Sequence, residues 1–162
     1  MDKKDSLISD FAKLWLAHDG LWFQAVEDEF GLDAAIKLDK AAWSKFSPLE
    51  AARILERLGK KPGGGIDLLE EALGERLYAI VNKQRIVERS ATRLAFEMNS
   101  CRVQDARRRK NLEPFPCKEV GIVEYSTFAK AIDPRLQTRC LHCPPDSYNG
   151  EYWCRWEFNL VE

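Results

Sequence analysis

No stretch constrains this chain more than the one from Cys140 to Phe158. Cys140-Leu141-His142-Cys143-Pro144-Pro145-Asp146 is followed by Tyr152-Trp153-Cys154-Arg155-Trp156-Glu157-Phe158. The two segments read as strands joined by a proline turn, with sulfur gathered at the turn end. In the second, Tyr152, Cys154, Trp156, Phe158 and Leu160 fall on one face, because alternate residues of a strand point the same way. Such an apolar face has to be covered, and the rest of the chain supplies the cover.

Residues 6–30 place Leu7, Phe11, Leu14, Trp15, His18, Leu21, Trp22, Ala25, Val26 and Phe30 in steps of three and four, the period of a helix burying one stripe. Asp19-Gly20 interrupts it with two poor helix formers, read as a tolerated glycine, and Gly31 is the stop. A second helix is predicted over 32–46, with Ala35, Ile36, Asp39, Ala42, Trp43 and Phe46 in register. A third starts at Ser47-Pro48-Leu49-Glu50, with Ser47 as cap and Pro48 at the first helical position, and ends at Gly59. Lys60-Lys61-Pro62-Gly63-Gly64-Gly65 reads as a flexible linker. No strand precedes it and no Lys-Ser/Thr pair follows, so it is a weak phosphate loop. A short helix covers 66–74, residues 78–81 fit helix or strand, and 85–88 lean to strand. Leu94, Phe96 and Met98 alternate with Arg93, Glu97 and Asn99 as in a half-buried strand. Helices follow over 102–112 and from Gly121 to Ile132, and strands over 136–141 and 152–160 complete a sheet.

The fold class is therefore α+β: a helical N-terminal half packed on a mainly antiparallel sheet with helices in its crossover. The organisation is an N-terminal helical region, 1–62, and an α+β part, 66–162, forming one compact unit. At 162 residues, 45% apolar and 31% charged, the chain has material for a real core. No apolar run approaches the ~20 residues of a membrane span. The start leads into an amphipathic helix instead of a signal core, so the chain reads as cytosolic with no membrane partner. The net charge of −1 gives no general attraction to nucleic acid, and the arginines are scattered. Charge is uneven: residues 1–74 carry 10 basic and 14 acidic side chains, and 75–162 carry 15 and 12, which places an anion site in the second part.

Three groups of residues could carry chemistry. Cys140 and Cys143, two residues apart in a turn, have the spacing of a zinc knuckle, Cys154 is a third ligand across the hairpin, and Cys117 or His142 is a fourth. Zinc or iron is the implied ion. Buried or ligand-lining thiols and a redox pair are the alternatives, the last disfavoured because Pro144-Pro145 prevents a helix from running on after Cys143. Arg102 and Arg109 share a helix face and could clamp a carboxylate or phosphate, whereas Arg107, Arg108, Arg109 and Lys110 are spread around the helix and cannot form one patch. His18, with Asp19 beside it, is the candidate base, one of only two histidines. Asp133, Arg135, Arg139 and His142 complete a candidate polar group. No serine-nucleophile, zinc-hydrolase or dinucleotide motif occurs.

Trp15, His18-Asp19-Gly20-Leu21-Trp22-Phe23, Cys101-Arg102 with Ala106-Arg107, Phe115-Pro116-Cys117-Lys118 and the cysteine hairpin resemble a prokaryotic family of uncharacterised cytosolic proteins, similar more distantly to the L-2-amino-thiazoline-4-carboxylic acid hydrolase-like group. The last hairpin also resembles that of 4-vinyl reductase-type small-molecule-binding domains, over residues 78–162. The resemblance implies a ligand-binding α+β domain in which the cysteine hairpin borders a pocket, and ring-opening, amide-type hydrolysis of a small amino-acid-like heterocycle. Two readings follow. One is a small-molecule-binding domain, with or without hydrolase activity, whose pocket is lined by Trp15, Trp22, Trp156 and Cys154, with Arg102 or Arg109 holding a carboxylate and His18 as base. The other is a metal-binding sensor or interaction module built on Cys117, Cys140, Cys143 and Cys154.

Overall fold

The computed structural model describes residues 2–162 and is α+β. Two long helices, α1 (Lys3–Phe30) and α2 (Leu32–Leu58), form an antiparallel hairpin joined by Gly31 alone. That residue takes φ 85°, a conformation glycine adopts at no steric cost. Two short helices follow, α3 (Gly65–Gly74) and α4 (Leu77–Val81). Strands β1 (Lys83–Arg89) and β2 (Arg93–Ser100) pair next. Helices α5 (Arg102–Arg109) and α6 (Lys118–Ile132) cross over to β3 (Leu136–His142) and β4 (Cys154–Leu160). The sheet is antiparallel throughout, in the order β1-β2-β4-β3.

Register follows the period-two pattern. Leu94 faces Phe158, Phe96 faces Trp156 and Met98 faces Cys154, so one sheet face is continuously apolar. Helix α6 lies on it through Tyr125, Phe128 and Ile132, and α2 and α3 add Ala51, Ile54, Leu55 and Leu69 to the same core. A smaller core joins Trp43 of α2 to Phe115 and Val120, with Trp15 and Phe23 of α1 packed against it. The helical half and the sheet thus share buried side chains.

Three local expectations change, and one left open is settled. Residues 32–58 are one helix, with Pro48 inside it and Ser47 buried instead of capping. Trp43, Ser47, Ala51, Ile54 and Leu55 make one buried stripe through the proline, and its burial outweighs the single amide hydrogen bond lost at Pro48. The glycine run is not a linker: Gly63 N–H donates to Ile132 O, and Gly65, buried at the start of α3, donates to an Asp133 carboxylate oxygen. Residues 78–81 are helical, with strand from Lys83. Helix α6 begins at Lys118, so Gly121 lies inside it. A Cβ there would stand 2.6 Å from the Trp156 indole, so the glycine is what lets the helix reach the ring. At Gly20, by contrast, α1 runs through unbroken and a Cβ would meet nothing within 4 Å, as expected for a tolerated glycine.

Candidate functional site

A cavity of about 350 Å³ lies between α1, α2, α5, α6 and the end of the sheet where the cysteines gather. Its deep wall is apolar and aromatic, with Trp43, Met98, Tyr125, Trp156 and Cys154 all buried. Exposed Lys13, Leu21, Arg102, Arg109 and Lys110 line its outer part. Arg107 fastens α5 to α1 at this rim. Its guanidinium donates to both carboxylate oxygens of Glu27, at 2.7 and 3.0 Å, and its Nε donates to Glu113 O. A fork-to-fork pair of this kind fixes geometry as well as charge.

Two carboxyl groups in this wall are held away from their ordinary state. Burial pushes Asp39 up to about 7, and the neighbouring charges of Asp19 and Glu124 push the same way. Burial likewise pushes Glu124 up to about 7 against the pull of Arg76. Asp19 is also raised by burial. Buried Arg76 stands with Nη2 2.8 Å from both Glu50 Oε2 and Glu124 Oε1, and its Nε donates to Glu50. Glu124 thus meets Arg76 as an ion pair. The guanidinium packs over Phe128 at 4.6 Å and Tyr125 at 5.3 Å. Trp156 Nε1 is buried with no hydrogen-bond partner, in the same wall. Buried polar atoms are rarely left so, which makes a donor without an acceptor in a cavity wall informative.

The sulfurs meet at the inner end. The Cys117 and Cys143 sulfurs are 3.4 Å apart, a thiol hydrogen bond. That contact and the neighbouring thiols of Cys140 and Cys154 raise the Cys143 thiol, and burial adds to the effect. Cys140 is lowered, chiefly by the hydrogen bond from Cys143, with burial opposing and the Lys118 charge assisting. Gln104, buried, donates to the Cys117 sulfur at 3.6 Å. Burial pushes Cys101 up to about 12. No disulfide links any of the five. Among the described residues no group of three or more His, Cys, Asp or Glu side chains is arranged to hold an ion as it stands.

With this geometry in place, comparison with known families is decisive on one point. The model of a family of unknown function, DUF6125, matches residues 1–160. The chain belongs to the DUF6125 family. No curated protein matches it. What a DUF6125 chain does must therefore be argued from its own side chains.

The sequence-derived candidates divide accordingly. Asp19, Arg102, Arg109, Trp156, Cys117, Cys143 and Cys154 line the cavity. His18 does not: it is exposed on the outer face of α1, one residue along from inward-facing Asp19. Trp22 is 69% exposed on that same outer face. Trp15 is used between the helices, stacked on Phe46 at 5.4 Å and edge-on to Trp43 at 6.3 Å. His142 faces the other side of the sheet, edge-on to Tyr152, whereas Cys117 touches Cys143. Asp133 pairs with Arg135 beside the glycine run and has no place in a catalytic group with His18.

Asp39, Glu124, Arg76 and Tyr125 were not singled out as site residues. Two had a legible signal. Asp39 sits in register with Ala35 and Trp43, and Glu124 with Val120 and Phe128, each a carboxylate on the buried stripe of its helix. Arg76 had none, because it follows a glycine stop and precedes a helix of only five residues.

Proposed function

We propose that this chain is a small-molecule-binding domain whose ligand enters the cavity with a hydrogen-bond-donating or cationic end toward Asp39 and Glu124 and an anionic end toward Arg102 and Arg109. The carrying observation is the polarity gradient of the cavity: carboxyl groups and an unpartnered indole N–H in an apolar interior, arginines at the rim. A few convergent polar groups in an apolar hollow of this size suit a small ligand. Opposite charges at the two ends suit an amino-acid-like one, in keeping with the resemblance to the thiazoline carboxylate hydrolase-like group. Carboxyls titrating near neutrality are suited to general acid–base work, and Asp39 takes that role in place of His18 if the ligand is hydrolysed. The test is isothermal titration with free amino acids and 2-amino-thiazoline-4-carboxylate. Binding by the wild type, weakened about tenfold or more by Arg102→Ala with Arg109→Ala, is the expected result, since a lost charged hydrogen bond is worth roughly 1.5–3 kcal/mol. Failure of every compound in the panel, or indifference to the arginines, removes the reading.

A second reading is favoured by the contacts around Cys143. Four thiolates bound to zinc at about 2.3 Å stand roughly 3.8 Å apart, and the Cys117–Cys143 separation of 3.4 Å is close to such an edge. On this reading Cys140 and Cys154 shift to complete a tetrahedron and the end of the cavity is pinned by an ion. About one zinc or iron per chain by elemental analysis, lost in Cys143→Ser, supports it. A chain purified with no metal after growth in supplemented medium rules it out.

A further inference from the structure

The outer face of α1 is apolar along most of its length. Leu7, Leu14 and Leu21 lie seven residues apart, with Phe11 and His18 between them and Ile8 and Trp22 alongside. The six large apolar side chains of this set are 52–69% exposed. The opposite face, through Ala12, Leu16 and Phe23, is the one packed on the rest of the molecule. A stripe repeating every 3.5 residues is the seam of a helix that pairs with another helix. With on the order of 100 Å² or more presented by each of these side chains, one α1 offers roughly 700 Å², above the ~300–600 Å² of the largest patch on a typical monomer.

We infer that α1 pairs with α1 of a second copy of this chain, antiparallel about a twofold axis near Leu14. Two such faces bury roughly 1,400 Å² together, within the ~1,200–2,000 Å² of stable interfaces. A twofold interface has to be self-complementary, and this stripe is. The antiparallel order sets Leu7 beside Trp22 and Phe11 beside His18. It also brings Lys4, at the start of the stripe, within a turn of Asp28 of the second copy, at its end. A parallel pair would set Lys4 against Lys4 and Asp28 against Asp28, with like charges opposed. Neither Lys4 nor Asp28 forms an ion pair among the described residues, so both are free for this role.

The experiment is light scattering on the eluting full chain, with Phe11→Glu plus Leu14→Glu as the disrupting variant. Both positions are exposed and neither lines the cavity, so the variant keeps the near-ultraviolet circular dichroism of the fold. The expected masses are twice 18.7 kDa for the wild type and 18.7 kDa for the variant. Lys4→Glu alone weakens the dimer, and Lys4→Glu with Asp28→Lys restores it. A wild type that elutes as a monomer, with or without binding to anionic phospholipid vesicles, overturns the proposal. So does a variant that stays dimeric. Dissociation by the glutamates without rescue by the charge swap overturns the antiparallel order.

Discussion

Two pairs of carboxyl groups in this molecule behave in opposite ways. Glu97 and Glu157 lie on the sheet face turned away from α6 and are 0% and 5% exposed. Burial works to raise Glu97, but hydrogen bonds from Arg155 and Arg85 outweigh it and hold the carboxyl below its usual range. Asn159 lowers Glu157, with Arg93 helping against burial. Asp39 and Glu124, in the cavity wall, are pushed up to about 7. Glu124 is as closed to water as Glu97 and Glu157, and Asp39 is half-buried, so exposure alone does not decide their charge. The sheet carboxylates are roofed by arginines whose outer parts reach solvent: Arg85 is 61% exposed and donates to Glu97 at 2.8 Å. In the cavity wall Glu124 has only Arg76, which it shares with Glu50, and Asp39 has a hydrogen bond from Trp43 that does not offset burial. Ion pairing stabilises the first pair. The second pair is left poised near neutrality, which is where acid–base chemistry or ligand-linked proton uptake would be sited.

The largest test of that contrast is Arg76→Ala. It leaves Glu50 and Glu124 facing each other without their cation, and breaking a buried pair costs about 3–5 kcal/mol. Thermal unfolding at neutral pH should fall by roughly 10 °C, at ~2–4 °C per kcal/mol for a chain of this size. Arg85→Ala, which leaves Glu97 its Arg155 partner, should cost less than about 1 kcal/mol. Equal losses would erase the distinction between the two regions.

A smaller effect depends on pH. The folded-state value of Asp39 is raised above its unfolded one, so the stability it contributes is full below pH 3.8 and is lost as pH rises through about 7. At pH 8 the ionised side chain then costs up to roughly 4 kcal/mol. Asp39→Asn should unfold at higher denaturant concentration than the wild type at pH 8 and at about the same concentration at pH 4. A variant no more stable at pH 8 would mean that the hydrogen bond from Trp43 and contact with solvent offset burial at Asp39.

Glu157→Gln should do the reverse, and least. Its folded value is lowered, so its contribution is present above the unfolded value of 4.5 and is lost as pH falls through the folded one. The variant should lose about 1 kcal/mol at pH 7, one net hydrogen bond, and converge on the wild type in acid. Destabilisation that grows as pH falls would contradict the pairing with Arg93 and Asn159.

These side chains also show where reading the sequence succeeds. The alternation of Leu94, Phe96 and Met98 and of Cys154, Trp156 and Phe158 placed both strands and their buried face, because period two is a local property. The spacing of Cys140, Cys143 and Cys154 is a local signal, whereas the Cys117–Cys143 contact at 3.4 Å joins residues of different segments. Pro48 misled because a proline is a strong local signal, and only the continuous stripe beneath it, packed on α6, shows why the helix runs on. His18 and Trp22 misled for a different reason. A helix with apolar residues over much of its circumference does not say which stripe faces inward, and here the body of the protein took the Ala12–Leu16–Phe23 side.

From sequence alone came the fold class, the strands with their inner face and most of the helices, since period and spacing are properties of a single segment. Only the tertiary structure decided which carboxyls are buried, which face of α1 stays uncovered, and that Arg76 sits between Glu50 and Glu124. Those outcomes join residues tens of positions apart, and ionisation depends on neighbours that no local pattern brings together.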